Sequence, residues 1–257
     1  MKIASWNVNS LNVRLPHLLQ WLDETRPDIV ALQETKLSDD KFPRMELNVA
    51  GYHVVFAGQK SYNGVALLSR TAIDEVLIDI PGLDGDERRI IAATTQGVRL
   101  LNLYVVNGQA VGSEKYAWKL QWLAKMRDWL SEEMKRHEQL IVLGDFNITP
   151  DDRDVYDAKV LQESILCSTA ERAALQQIID LGLTDTFRLF AQEPGLFSWW
   201  DYRQGAFRRN MGLRIDLILA SKSLAERCTA AYIDKKPRML ERPSDHAPVI
   251  VEFDLHQ

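Results

Sequence analysis

The sequence has little cysteine and no long apolar stretch. Its two cysteines, Cys167 and Cys228, lie far apart without Cys or His neighbours at ligand spacing. This argues against a zinc finger or a disulfide framework and suits a reducing cytosol. No apolar run reaches the ~18 residues that a membrane span requires, and Ser5 and Asn7 come too early for the apolar core of a signal peptide. We therefore expect a soluble, cytoplasmic protein.

Glycine, proline and positive charge are also limited. The 13 Gly and 9 Pro are too few for a collagenous or disordered chain. The 31 Lys and Arg against 36 Asp and Glu give a net charge of -5, which argues against a protein that coats nucleic acid non-specifically. A local basic groove remains compatible with this balance. Because we find no repeat, low-complexity tract or linker, we predict one domain over 1–257.

Apolar runs of strand length alternate with helical patterns along the chain. Several runs are nearly continuous, which is typical of strands buried on both faces. Apolar residues at helical spacing predict helices near 14–25, 114–137 and 169–181. The mixture predicts a layered α/β architecture. The predicted strands are 3–8, 29–32, 53–57, 64–69, 90–94, 100–106, 140–143, 215–220 and 249–253.

Five segments place carboxylates, carboxamides or histidine at the expected strand ends. Taken singly, each has an ordinary explanation as a turn, a helix cap or, for Glu34 with Lys36, a surface ion pair. Asp216 fits such explanations least, because an unpaired buried charge would cost several kcal/mol. The fivefold recurrence favours a functional site. The polar residues concerned are Asn7, Asn9, Glu34, Asp145, Asn147, Asp216, Asp245 and His246.

These side chains suit a hard cation and a phosphate. Mg²⁺ takes oxygen ligands, which Asn7, Glu34 and Asp245 offer. In an extended segment the side chains of Asp145 and Asn147 would project to the same side, where one could hold a water and the other a phosphoryl oxygen.

His246 is expected to be a cation beside a carboxylate. A neighbouring carboxylate raises the pKa of a histidine, and a protonated imidazole stabilises charge on a phosphate. Asp216 and Asp245 are both possible partners. We favour Asp216, because adjacent residues in an extended segment point to opposite faces.

Together these segments resemble the exonuclease III family of apurinic/apyrimidinic (AP) endonucleases, within the DNase I-like endonuclease/exonuclease/phosphatase superfamily. The resemblance extends from Met1 to about Phe253, although Val106 stands where the family usually has proline. The motifs that carry it are GQK at 58–60, YNGVAL at 62–67, RRII at 88–91, GDFNI at 144–148, GLTDTF at 182–187, GLRID at 212–216 and PSDHAP at 243–248.

The resemblance implies a four-layer α/β/β/α sandwich of two mixed β-sheets flanked by helices. It implies that Glu34 holds Mg²⁺, for which Mn²⁺ could substitute, and that Asp145 deprotonates the attacking water. The implied catalytic residues are Tyr104, Asp145, Asn147, Asp216 and His246. The implied metal site draws on Asn7, Glu34, Asp145, Asn147, Asp245 and His246.

The DNA-contacting surface is expected to be locally basic. Trp199 matches the aromatic that walls the pocket for the base-less sugar, and Asn107 matches an amide near the phosphate. In the loop before Asp216, arginines interleave with Tyr202 and Phe207, as a backbone-tracking loop requires. Lys235, Lys236 and Arg238 could contribute, whereas the basic residues of the 114–137 helix are expected to face solvent. The implied DNA contacts are Lys60, Asn107, Trp199, Arg203, Arg208 and Arg209.

The resemblance implies a monomeric DNA-repair phosphodiesterase. Its expected partner is duplex DNA with abasic sites or with damaged or recessed 3′ ends, and cleavage would leave a 3′-OH. One alternative keeps this chemistry but takes a phospholipid, an inositol phosphate or RNA. Another is a catalytically inactive scaffold that binds DNA or protein.

Overall fold

The computed structural model describes residues 1–78, 80, 83 and 87–255. The strands are β1 Lys2–Asn7, β2 Ile29–Gln33, β3 His53–Ala57, β4 Val65–Ser69, β5 Asp74–Leu77, β6 Ile90–Thr95, β7 Val98–Tyr104, β8 Leu140–Asp145, β9 Leu183–Asp185, β10 Trp199–Trp200, β11 Gly212–Leu213, β12 Asp216–Ser221, β13 Cys228–Ile233 and β14 Val249–Phe253. The helices are α1 Leu11–Thr25, α2 Arg44–Val49, α3 Glu114–Arg136, α4 Thr169–Ile179 and α5 Lys222–Ala225.

Most strands assemble into two mixed sheets. The first has the order β13-β14-β1-β2-β4-β3, and the second has the order β5-β6-β7-β8-β12-β9. β1 runs parallel to β2 and β7 runs parallel to β8, whereas the other pairings are antiparallel. β10 and β11 form a separate two-stranded ribbon.

The two sheets pack face to face, with helices on their outer faces. Ile3 and Leu67 of the first sheet share a core cluster with Leu100 and Ile141 of the second. α1 and α2 cover the outside of the first sheet, and α3 and α4 cover the outside of the second. Because both faces of the central strands are buried, their sequences are almost continuously apolar. The predicted four-layer sandwich is confirmed.

The helices follow the predicted pattern with local differences. α1 begins at Leu11, earlier than expected, and a left-handed Arg26 terminates it before Pro27. The Ser168 side chain accepts from the Glu171 N–H, and the Glu171 side chain accepts from the Ser168 N–H, so that a capping box starts α4. Among the described residues, no helix combines the length and the apolar character needed to cross a membrane.

Candidate active site

Strand register brings the polar strand ends to one place. Asp216 lies opposite Asp145 in the antiparallel pair of β12 and β8, and Tyr104 lies beside Asp145 in the parallel pair of β7 and β8. Asn7 ends β1 in the other sheet, and its Nδ2 donates to Asp145 Oδ2 across 2.9 Å. The edge where both sheets meet is therefore the candidate site, and all four residues belong to it.

The backbone has unusual conformations at the end of β8, around Asp145. Gly144 has φ of +143°, and a Cβ there would lie 1.9 Å from the Leu103 carbonyl oxygen, so that only glycine fits. The expected extended geometry of Asp145 and Asn147 is wrong, because Asn147 has φ of +50° and donates its N–H to Asp145 Oδ1 at 2.9 Å. Asparagine tolerates this left-handed conformation better than most residues. The Asn147 side chain donates to Val105 O at 3.0 Å.

A compact group of ligand-type atoms surrounds Asp145. Glu34, Asp145 and His246 offer atoms that all lie within 4.8 Å of one another. Asn7 Nδ2 bridges Glu34 Oε1 and Asp145 Oδ2, at 2.9 Å from each. Two carboxylates so close together favour a bound cation, and their oxygens are donors that Mg²⁺ prefers. The described residues thus fit a divalent metal ion at Glu34 and Asp145.

The environment of Asp145 makes its carboxylate basic. Burial raises the pKa of Asp145 to about 7, and the carboxylates of Asp216 and Glu34 act in the same direction. The charge of His246 and the hydrogen bond from Asn7 oppose this shift. A carboxylate with a pKa near neutrality can accept a proton from water far better than an ordinary aspartate.

His246 is a buried imidazole held between two carboxylates. Its Nδ1 lies 2.8 Å from Asp216 Oδ2, which is the expected pairing, and its Nε2 lies 3.7 Å from Asp145 Oδ2. Burial disfavours its charge, but the carboxylates of Asp216 and Asp145 outweigh burial and raise the pKa of His246 to about 10. A protonated imidazole has no lone pair for a metal. His246 nevertheless offers a ring nitrogen within 4.8 Å of ligand atoms of Glu34 and Asp145, so its assignment as a metal ligand stays a prediction.

Asp245 is engaged elsewhere, although it was predicted as a metal ligand. Its Oδ1 accepts from Asn9 Nδ2 and its Oδ2 accepts from Trp199 Nε1, both across 2.9 Å. Among the described residues, the cluster of ligand atoms does not include it. Asp245 instead fixes the indole of Trp199 beside the site.

Lys36 links Glu34 to Asn9, the residue that donates to Asp245. Its ammonium donates to Asn9 Oδ1 at 2.6 Å and lies 2.9 Å from Glu34 Oε2. The ion pair of Lys36 with Glu34 that the sequence suggested is thus present. It belongs to the candidate site, because Glu34 is also grouped with Asp145 and His246.

Tyr104 faces the same carboxylates as a neutral phenol. Burial, Glu34 and Asp145 raise the pKa of Tyr104 well above its ordinary value. The Arg89 guanidinium lies 4.7 Å from the centre of the Tyr104 ring and fixes it from the other side. A phenol that stays protonated can donate a hydrogen bond to an anionic oxygen.

Comparison with known proteins agrees with this arrangement. A match to the Endonuclease/Exonuclease/phosphatase family covers residues 4–246. The chain belongs to this family. Within the family it is similar to exodeoxyribonuclease III of Haemophilus influenzae, with 38% identity over 98% of this chain and 100% of that protein.

Solved structures of the endonuclease/exonuclease/phosphatase family share the whole architecture. The 3′ phosphatase NExo from Neisseria, bound to a product DNA hairpin, matches with a TM-score of 0.97 and 49% identity, covering 99% of each chain. An AP endonuclease from Archaeoglobus fulgidus matches with a TM-score of 0.95 and 40% identity, covering 99% of this chain and 100% of that one.

The residues expected to contact DNA lie at the surface to different degrees. Lys60, Arg203, Arg208 and Arg209 are exposed, and Arg203 pairs with Asp201 at 2.8 Å. Asn107 is also exposed, and its Nδ2 lies 3.3 Å from Asn147 Oδ1.

Two side chains in or near the proposed DNA surface pack against their neighbours: Phe207 is partly buried and Arg238 is buried. Phe207 packs edge-on against Trp200, with ring centres 5.0 Å apart. Arg238 is 7% exposed and stacks on Tyr202 and Phe207, so it stabilises the loop from beneath. Aromatic and guanidinium groups next to one another thus form a stack in this loop, and the part of Arg238 and Phe207 in DNA contact stays a prediction.

Lys119 is a site-adjacent residue that sequence reasoning missed. It was expected on the solvated face of the helix, yet it is fully buried. The signal was its spacing, because it precedes Leu123, Met126 and Leu130 by four, seven and eleven residues and so shares their face. The expectation that the tryptophans of α3 are packing residues is confirmed, since Trp118, Trp122 and Trp129 all contact the core cluster.

Proposed function

We propose that this chain is a metal-dependent phosphodiesterase that acts on duplex DNA in repair and leaves a 3′-OH. The observation that carries the proposal is the placement of the buried Asp145 carboxylate, whose ligand atom lies within 4.8 Å of those of Glu34 and His246. This arrangement combines a general base, a cation site and a fixed positive charge within a few ångströms. Hydrolysis of a phosphate diester requires these three functions.

Each function is assigned to particular residues. Glu34 and Asp145, supported by Asn7, would hold the metal ion, for which Mg²⁺ is our choice and Mn²⁺ a substitute. When bound, the ion would stabilise negative charge on the phosphate and lower the pKa of water. Asp145 would take the proton of the attacking water. His246, kept charged by Asp216, would bind a non-bridging phosphate oxygen.

Three further residues would stabilise and locate the phosphate. Tyr104 would donate its phenolic hydrogen to a phosphate oxygen, because its pKa keeps it protonated. Asn147 and Asn107 would supply amide donors from two neighbouring loops. Such fixed donors stabilise the charge that develops as the P–O bond breaks.

The DNA substrate is supported by the surface and by the names of the relatives. Trp199, fixed by Asp245, would wall a pocket for a base-less sugar, and Lys60, Arg203, Arg208 and Arg209 would contact phosphates. Exodeoxyribonuclease III, an AP endonuclease and a 3′ phosphatase are among the similar proteins. We therefore propose incision at abasic sites, 3′→5′ exonuclease activity and 3′-end processing as the candidate activities.

We further propose that residues 1–257 act as one domain, as a monomer in the cytoplasm. Both sheets contribute to a common core, which supports one domain. Light scattering of the purified protein would test the monomer.

The decisive experiment uses a panel of end-labelled duplexes carrying an abasic site, a 3′-phosphate, a nick or a recessed 3′ end. We expect turnover with Mg²⁺, none with EDTA, and a loss of at least ~10²–10³-fold in Asp145→Asn with an unchanged melting profile. Phospholipid, inositol phosphate and RNA serve as competing substrates. Equal turnover in Asp145→Asn, or a preference for one of these competitors, would contradict the proposal.

A further inference from the structure

The ammonium of Lys119 lies beneath two loops of the proposed active site. It donates to the Asn147 carbonyl oxygen at 2.7 Å and to the Asn107 carbonyl oxygen at 3.1 Å. Its third partner is the carboxylate of Glu171 on α4. Lys119 itself is fully buried, so a single charged group ties α3 and α4 to the loops that follow β7 and β8.

The two carbonyl groups belong to residues whose side chains meet at the site. Asn107 Nδ2 lies 3.3 Å from Asn147 Oδ1. Asn147 is also held in a left-handed conformation next to Asp145. A donor on its carbonyl group restricts how the peptide after Asn147 can rotate, and therefore where its amide and the Asp145 carboxylate point.

The ion pair of Lys119 on α3 with Glu171 on α4 is fully buried, and burying two charges costs desolvation free energy. Glu171 is fully buried and accepts from the N–H groups of Leu166 and Ser168 as well as from Lys119. Burial lowers the pKa of Lys119, and the charge of Glu171 opposes that shift. Replacing a buried ion pair with neutral or apolar groups is often neutral or stabilising, so stability alone does not account for this one.

We propose that Lys119 is a positioning residue that sets the placement of Asn107 and Asn147 for catalysis. The proposal rests on the proposed function, since it assigns a role within that same site. Lys119 touches no reacting atom. It acts through two backbone carbonyl groups, and Glu171 keeps its ammonium charged and in place.

The test compares Lys119→Met, Glu171→Gln and the double variant. Lys119→Met leaves a buried carboxylate without its cation and should lower both stability and turnover. The double variant removes both charges, and the single amide oxygen of the glutamine can still accept from one of the two N–H groups, that of Leu166 or that of Ser168. It should regain most of the lost melting temperature, while its kcat stays about 10- to 100-fold below the wild type with KM for the duplex changed less than about 3-fold.

Two further variants sharpen the comparison. Glu171→Gln should lose less kcat than Lys119→Met, because the ammonium still donates to both carbonyl groups. Lys125→Met, an exposed lysine of the same helix, is the matched control and should behave as the wild type. If kcat recovers together with the melting temperature in the double variant, or if Lys119→Met retains wild-type kcat, the proposal is overturned.

A structural readout separates this proposal from the proposed function. If the wild type cleaves no DNA duplex, the proposed function fails. Crystal structures of the wild type and the double variant then still decide the role of Lys119. A displaced Asn147 or Asn107 in the folded double variant supports positioning, and unchanged loops overturn it.

Discussion

The Asp216 carboxylate lies 2.8 Å from Nδ1 of His246, and both side chains are almost completely buried. Ser198 Oγ accepts from the Asp216 N–H at 3.1 Å and so fixes the start of β12. Because β12 pairs with β8, the same imidazole also faces Asp145. The two aspartates have different tasks here, since one keeps His246 charged and the other is available as a base.

The first prediction concerns this pairing. In Asp216→Asn the anion that raises the pKa of His246 is removed, so the imidazole becomes neutral at a lower pH. We expect kcat to fall by about 10²-fold at pH 8 and the alkaline limb of the pH–rate profile to move to lower pH. Steady-state kinetics between pH 6 and 10 provide the measurement. An unshifted alkaline limb would mean that Asp216 does not control the charge of His246.

The second prediction concerns stability and pH in EDTA. The pKa of His246 is about 10 in the folded protein and about 6.5 in the unfolded chain. A raised folded-state pKa gives stability that is complete below about pH 6.5 and is lost as the pH rises toward 10. Between pH 6 and pH 9 the wild type should lose at least about 1 kcal/mol more unfolding free energy than the double variant Asp145→Asn, His246→Gln, in which neither coupled group titrates. Urea titrations at both pH values test this, and parallel losses would refute it.

The third prediction concerns Lys36 and metal affinity. Its ammonium lies 2.9 Å from Glu34 Oε2, where it competes with a divalent cation for the carboxylate and repels it. Lys36→Met should therefore bind Mn²⁺ about 10-fold more tightly, as measured by calorimetry. Lys41→Met, an exposed lysine nearby in sequence, is the control. Weaker binding in Lys36→Met would show that the lysine organises the site instead of opposing the metal.

The fourth prediction concerns Gly144, which has φ of +143° and would place a Cβ 1.9 Å from the Leu103 carbonyl oxygen. Gly144→Ala should destabilise the protein by about 3 kcal/mol, because β7 and β8 must separate. Gly97 also has positive φ, but open space surrounds its Cβ position. Gly97→Ala should cost only about 1 kcal/mol. Thermal unfolding of both variants gives the comparison, and equal losses would contradict the steric explanation.

Much of the fold could be predicted because the central strands are buried on both faces. The run that became β14 was placed at its observed bounds, 249–253, and β3 at 53–57. The short or exposed strands β5, β9, β10 and β11 were missed, because strands of two to four residues carry too little apolar pattern. β13 was missed as well, since only one of its six residues is buried.

The candidate site could be predicted in its residue types but only partly in its geometry. The alternation of side chains in an extended segment favoured Asp216 over Asp245 as the partner of His246, and the structure contains that pair. Chemistry could not show that Asn9 and Trp199 occupy both oxygens of Asp245. The sequence also predicted an extended conformation for Asn147, whereas its φ of +50° is left-handed.

The amino-acid order by itself determined which strands are buried and which polar residues end them, because apolar periodicity and charge are local properties of the chain. Only the tertiary structure decided that Lys119 pairs with Glu171, that Asp245 fixes Trp199, and that His246 lies between two carboxylates. Those outcomes depend on the register of strands distant in sequence and on the low dielectric of the interior they enclose. Neither the strand register nor the dielectric of the interior can be read from residues that are neighbours in the sequence.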